Sequence, residues 1–395
     1  MKRLIIAALL LAGTFVNANA QNLKFYGFIR NYAFMDTKSD NKAGTGDIFY
    51  YMPNDGAKDN PNFHYTAITS RLGLDVTDYE FEGLKMGAKI EADFYNGLNG
   101  VTGTAVFRLR QAFLTVSNGT TTFKAGQAWH PMAVDMPDVI SLNTGAPFGP
   151  FARTPLAQFE SSLSNNLSLT GALVWQMQYP SAGPEGASAN YLKYSGIPEA
   201  YLGLNYTEGG FLGRVGASVL NIRPYDDGKL NTEFMVFAFL QYKKDLFSVK
   251  FKTAFAEDGS HVNLIGGYGV KSIGNGTTTD YEFTPTRNAS SWLSLSYGKK
   301  VQAVLFGGFA KNFGTADPLA TNDIWFCKNG NKNMNAIYRV SPQILYNLGK
   351  LTLALEWERT GVLYGDTLNL NTGLYDQNLH WVTNNRIQTM VKFTF

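Results

Sequence analysis

The chain has 395 residues, of which 16% are charged and 14% aromatic, with 40 glycines and a single cysteine. Setting aside Lys2 and Arg3 of the amino-terminal leader leaves 32 basic against 31 acidic residues, a formal net charge of +1, without the basic excess of a nucleic-acid binder. One cysteine, Cys327, excludes an intramolecular disulfide framework, and a charge content well below the roughly 25% of ordinary soluble domains sets the chain apart from them.

The first twenty residues, MKRLIIAALLLAGTFVNANA, carry a charged start, a short apolar stretch from Leu4 to Ala12 and an Ala18-Asn19-Ala20 site. This pattern predicts a secretory signal at 1–20, with the mature chain beginning at Gln21. The apolar run is too short to span a bilayer and no later run approaches the length that a membrane helix needs. An exported chain of this composition can still reside in a membrane by closing its backbone hydrogen bonds as a barrel.

From there the chain alternates. Strands are expected to begin near Lys24, Tyr65, Leu84, Thr104, Thr121, Thr154, Leu167, Glu199, Leu212, Thr232, Phe247, Ser291, Val301, Ala336, Leu351 and Val382. In SRLGLDV, Leu72, Leu74 and Val76 oppose Arg71 and Asp75; in LKMGAKIEADFY, Leu84 to Phe94 at alternate positions oppose Lys85, Lys89, Glu91 and Asp93. VFRLRQAF sets Phe107, Leu109 and Phe113 against Arg108 and Arg110; FSVKFKTAF and LTLALEWE repeat the pattern with Lys250 and Lys252, and with Glu356 and Glu358. Period two segregates charge from apolar side chains where a helical period would smear it. The first strand's aromatics, Phe25, Tyr26, Phe28, Tyr32 and Phe34, read as wall packing. Strands of roughly 9–12 residues suit tilted membrane strands better than the usual 5–6 of globular sheets, which weighs against a soluble sandwich. The fold class expected is therefore all-β: an antiparallel transmembrane β-barrel of about 16 strands, with 14 to 18 allowed, as one domain over 21–395. Tight connections at 79–83, 117–119, 243–246, 298–300 and 347–350 alternate with long inserts at 37–64, 259–290, 312–335 and 361–381, as short periplasmic turns and long outer loops would. The last strand is apolar at Ile387, Thr389, Val391, Phe393 and Phe395 and polar on the other side, so it should pair with the first strand and close the barrel.

One stretch breaks the alternation. WHPMAVDMPDVISLNTGAPFGPFARTP, 129–155, holds Pro131, Pro137, Pro147, Pro150 and Pro155. Proline has no ladder donor, so this is no central strand; it reads as a loop folded into the lumen as a pore constriction, with Asp135, Asp138 and Arg153 as constriction charges. Arg30, Arg71, Lys89, Arg108, Arg110 and Lys124 lie on the polar face of the first five strands, where they can focus an attractive potential on anions. Arg108 and Arg110, two apart, can grip a carboxylate together; alternatively they brace the wall against Glu91, Asp93 and Asp75. His64, His130, His261 and His380 fall on loops with no metal-ligand spacing, and no G-x-S-x-G occurs. Neither an enzyme nor a cofactor site is expected.

The stretches LKFYGFIRNYAFMDT, RLRQAFLTV, FKAGQAWHPM and TGAPFGPFART together resemble the porins of the DcaP type, in the version found in Bacteroidota. The likeness is specific over the first 160 mature residues and generic beyond them. It implies a homotrimer of 16-strand channels in the outer membrane of a Gram-negative bacterium, in contact with outer-membrane lipid and lipopolysaccharide, with a preference for small anionic solutes such as dicarboxylates. The founding members carry an amino-terminal periplasmic coiled coil, whereas Gln21 here leads directly into the first strand. The function expected is passive diffusion of small hydrophilic, anionic solutes; the alternative is a structural or adhesive surface barrel with a closed pore.

Overall fold

The computed structural model describes residues 22–38, 52–95, 105–327 and 332–395; the expected leader at 1–20 lies outside them. The chain folds as strands β1 (Asn22–Lys38), β2 (Asp59–Thr66), β3 (Arg71–Phe81), β4 (Leu84–Tyr95), β5 (Val106–Ser117), β6 (Thr121–Trp129), β7 (Arg153–Ser162) and β8 (Leu167–Val174). After a short helix α1 (Asn190–Ser195) come β9 (Glu199–Glu208), β10 (Phe211–Ile222), β11 (Asn231–Lys244), β12 (Phe247–Glu257), β13 (Gly267–Ser272), β14 (Glu282–Gly298) and β15 (Val301–Thr315). The chain finishes with β16 (Trp325–Cys327), β17 (Met334–Leu348), β18 (Leu351–Tyr364), the small pair β19 (Leu368–Asn369) and β20 (Leu374–Tyr375), and β21 (His380–Thr394).

Sixteen of these strands close into one antiparallel barrel: each pairs with its neighbour in the chain, short extra strands aside, and β21 returns to β1. The seam between the first and last strands runs from Phe28↔Thr394 to Asp36↔Arg386. At one end of this seam the Phe25 and Phe395 rings stack at 6.1 Å. At the other, Arg386 donates from Nε and Nη2 to the two oxygens of Asp36 at 2.8 Å each. A bidentate charge pair in a buried seam fixes register as well as adding energy. Tight turns gather at this first end, with Gly83, Asp245 and Gly349 at positive φ, a backbone that glycine or aspartate supplies at low cost. Longer connections gather at the other, loop end.

The pleat sorts the side chains as the sequence alternation requires. Ile29, Phe63, Tyr65, Tyr297, Ile344 and Ile387 point outward and each keeps more than half of its surface exposed, whereas Asp36, Asp93, Lys252, Arg339, Glu356 and Arg386 face inward with 1% or less. A soluble sandwich would bury the first set and expose the second. The expectation of an all-β barrel of about 16 strands is met.

Four details differ from the sequence reading. The strand expected near Tyr65 is broken in two: β2 pairs the loop-end half of β1 and β3 the turn-end half, with Thr69 at φ +72° between them. The strand expected at Ser291 already starts at Glu282, because the alternation runs on above the barrel, where β14 pairs with β13 and β13 with β16. A bulge at Arg110, opposite the Glu91–Ala92 step, shifts the parity of β5. Phe113 therefore packs against the interior cluster rather than outward with Phe107 and Leu109, since a bulge adds one residue on one side of the ladder. Of the five aromatics of β1, only Phe25 points outward; Tyr26, Phe28, Tyr32 and Phe34 line the interior and carry cations on their faces.

Candidate functional site

The segment between β6 and β7 passes through the interior of the barrel. His130 starts its first turn: the Nδ1 atom accepts the Met132 N–H at 3.2 Å, and Pro131 fills the first position, where no donor is needed. Lys252, fully buried, donates to the Met132 and Asp135 carbonyls at 2.8 and 2.9 Å, so a wall cation receives the carbonyls that the short turn leaves open. Further along, the Asp138 N–H meets Ser294 Oγ at 3.1 Å, the Ile140 N–H Gln343 Oε1 at 2.9 Å and the Ser141 N–H Glu356 Oε2 at 2.8 Å. Tyr32 of β1 donates its hydroxyl to the Ile140 carbonyl at 2.8 Å. Asn143 donates to Glu358 at 2.6 Å, and Arg339 Nη1 to the Ala146 carbonyl at 2.6 Å. A proline-rich segment cannot satisfy its own backbone, and every one of these bonds gives a backbone or side-chain group a buried partner on the wall. Its apolar side chains fill the rest: Phe148 packs on Phe306 at 6.1 Å, over Gly308, where a Cβ atom would meet the Phe148 ring at 2.4 Å.

The side of the interior formed by β1, β3, β4 and β5 is cationic. Arg108 grips Asp93 with Nε and Nη2, both at 3.0 Å. Arg110 reaches Glu91 at 2.8 Å and Asp93 at 2.6 Å, and Arg71 lies 3.6 Å from Glu91. Arg108 and Arg110 share Asp93, the bracing arrangement of the two that the sequence allows. Lys89 is bound to Asp75 at 2.7 Å. Arg30 donates to Thr69 at 2.6 Å and flanks Phe28 at 4.9 Å, with Arg71 on the same ring at 5.1 Å. Arg153, only 2% exposed, stacks over Trp129 at 4.9 Å, and among the described residues it makes no ion pair with a carboxylate. Five guanidinium groups thus face two carboxylates, Glu91 and Asp93. Arg71 and Arg108 keep 22% and 26% of their side chains exposed. Lys124, on the next strand, lies over the inward Phe113 ring at 5.4 Å.

The two acidic residues of the inward segment are placed otherwise than as free charges. Asp135 pairs with Arg214 at 3.3 Å and Asp138 with Lys250 at 2.5 Å, so the opposite wall neutralises both. Below Asp138 a cavity of about 630 Å³ opens toward the turn end, lined also by Lys243, Lys250 and Lys299.

Sequence reasoning missed the anchors. Arg214, Lys250, Lys252, Arg339, Glu356 and Glu358 share the inward parity of their strands, the signal that picked out Arg30 and Arg71, but nothing local pairs them with the segment. The histidines expected to be scattered are also partly gathered: His130 Nε2 lies 3.2 Å from Glu199 Oε1 and His261 Nε2 3.5 Å from Glu199 Oε2. Since His130 Nδ1 accepts Met132 N–H, its Nε2 carries the proton and donates to Glu199. That tautomer suits an anchor and leaves no lone pair for a metal.

A closed 16-strand antiparallel barrel with an apolar exterior, a charged interior and an internal segment after the fifth barrel strand is the architecture of outer-membrane channels. No protein-family model and no curated protein matches the sequence. Among solved structures the chain is similar to the outer membrane channel DcaP of Acinetobacter baumannii, at 18% identity and a TM-score of 0.71 over 95% of this chain and 98% of that one. It is also similar to an anion-selective porin from Comamonas acidovorans, at 11% identity and TM-score 0.59 over 95% and 100% of the two chains. OmpT, an outer membrane protein of Vibrio cholerae, aligns at 10% identity and TM-score 0.57 over 96% and 99%.

Proposed function

We propose that the chain is a passive outer-membrane porin that favours small anionic solutes, dicarboxylates among them, and that segment 129–155 narrows its lumen. The observation that carries the reading is the set of Arg30, Arg71, Arg108, Arg110 and Arg153, which among the described residues faces only Glu91 and Asp93 on one side of a closed interior. An excess of fixed positive charge inside low-dielectric walls draws anions and repels cations. Because Asp135 and Asp138 are matched by Arg214 and Lys250, the inward segment contributes bulk and leaves the opposite wall near neutral. Solutes then pass a constriction that is cationic on one face and sterically set on the other, and no bond is made or broken. The reading includes export through the 1–20 leader, insertion in the outer membrane among lipid and lipopolysaccharide, and assembly as a homotrimer, the last supported by the likeness to porin folds that include a trimer form.

The test is the reversal potential of the purified protein in planar bilayers under a salt gradient. Anion preference supports the reading; cation preference removes the role of the arginine face. Complete absence of conductance across many insertions would favour the closed surface barrel instead.

A further inference from the structure

The cavity of about 630 Å³ below Asp138 has a wall unlike the rest of the interior. It lies under the inward segment, at the turn ends of β11, β12, β14 and β15, and Gln241, Lys243, Ser248, Ser296, Lys299 and Gln302 line it. Strand register orders these side chains. Lys243 stands opposite Ser248, and Ser248 opposite Ser296, so one ammonium and two hydroxyls form a row across three strands. Gln241 stands opposite Lys250 in the row above. Directly opposed residues lie about 5 Å apart, close enough for one small solute to meet several of them.

These six side chains are left open. Among the described residues none of them makes a hydrogen bond or an ion pair within the protein. Lys89, an inward lysine on the opposite wall, is by contrast tied to Asp75 at 2.7 Å and to the Tyr26 hydroxyl at 3.0 Å. The inward segment above likewise has its donors and acceptors matched by the wall. Polar groups that a wall leaves unmatched are satisfied by whatever fills the space before them.

The charge and the donor set narrow what that is. Three ammonium groups, Lys243, Lys250 and Lys299, stand against two carboxylates, Asp138 and Asp245, an excess of one positive charge. Lys250 is held by Asp138 at 2.5 Å, so the excess lies with Lys243 and Lys299. Ammonium groups only donate, and suit a carboxylate; amides and hydroxyls both donate and accept, and suit solute hydroxyls. A phosphate ester, with nearly two negative charges, exceeds the excess available. The volume falls in the range of small-molecule sites.

We propose that this cavity is a second solute station, selective for a hydroxylated monocarboxylate of monosaccharide size, an aldonic acid being the simplest case. The inference rests on the porin reading for how solute arrives and extends it to one chemical class: the arginine face selects by charge, and the lysine cavity adds recognition of hydroxyls.

The test follows lysine acetylation of the folded mature chain in detergent, residue by residue, by mass spectrometry. Excess sodium gluconate should slow modification of Lys243 and Lys299 at least threefold relative to sodium butyrate at equal ionic strength. Lys85, 73% exposed beside the β3–β4 turn, should react at the same rate in both. Gln241→Leu with Gln302→Leu should abolish the difference between the two salts. In planar bilayers gluconate should reduce single-channel current at a lower concentration from one side than from the other, and Lys243→Gln with Lys299→Gln should raise the half-blocking concentration at least fivefold. Equal protection by butyrate, protection that survives the glutamine substitutions, or a block indifferent to the lysines would each overturn the station. Silent bilayers would remove the porin reading, whereas the acetylation rates decide the cavity without any conductance.

Discussion

Replacing Arg30 and Arg71 together with glutamine tests the cationic face while sparing the fold. The two flank the Phe28 ring, and neither is the main partner of a carboxylate: Glu91 keeps Arg110 at 2.8 Å and Asp93 keeps both Arg108 and Arg110. Five guanidiniums against two carboxylates leave a formal excess of three positive charges. At about 6 Å from a permeating ion, in water's dielectric and with screening at 0.1 M salt, that excess attracts a monovalent anion by roughly 1 kcal/mol. Such an attraction enriches anions about sixfold. The double substitution lowers the excess to one, leaving about 0.4 kcal/mol and about twofold enrichment. The anion-to-cation permeability ratio, read from the reversal potential in a tenfold KCl gradient, should therefore fall by about threefold or more, with insertion frequency and heat resistance in detergent unchanged. A reversal potential identical to that of the parent would refute the claim that these arginines set the local field.

The complementary pair, Arg108→Gln with Arg110→Gln, should behave differently: Asp93 has no exposed side-chain surface, and stripping a buried carboxylate of its partners costs about 3–5 kcal/mol, so heat or urea unfolding in detergent should shift markedly, and an unchanged midpoint would mean that the pairs brace nothing. Arg339→Met removes the donors to the Ala146 carbonyl and Thr360 and leaves Glu358 beside Asn143 alone; about 3 kcal/mol of lost stability is expected by the same reasoning, along with noisier open-channel current, and a quiet, fully stable channel would show that the segment is held elsewhere. Gly308→Leu drives side-chain atoms into the space of the Phe148 ring; displacing that ring should loosen the inward segment and raise single-channel conductance, whereas parental conductance would mean that the segment does not narrow the path.

The barrel was legible because its cause is local. A wall with lipid on one side and charge on the other writes period two into every strand, and the terminal pattern of Ile387 to Phe395 could be assigned to the seam for that reason alone. Strand parity also placed Arg30, Arg71, Lys89, Arg108, Arg110 and Lys124 inside. Where local pattern misled, a one-residue irregularity was responsible: the bulge at Arg110 turned Phe113 inward, and the break at Thr69 split a strand. The anchoring of the inward segment was out of reach for a different reason. Ser141 and Asn143 find Glu356 and Glu358 across 215 residues of chain, and which inward side chains meet across a barrel depends on strand number and stagger together, quantities that no single strand records. The same holds for Asp135 and Asp138, whose charges look free in sequence until Arg214 and Lys250 are set opposite them.

Single-channel recording of the unmodified protein, at tenfold different KCl concentrations on the two sides of a planar bilayer, bears most directly on the whole reading. Discrete conductance steps whose current reverses at a potential of the sign set by chloride are the predicted result. Steps that reverse on the potassium side, or membranes that stay silent although folded barrels have inserted, would contradict it.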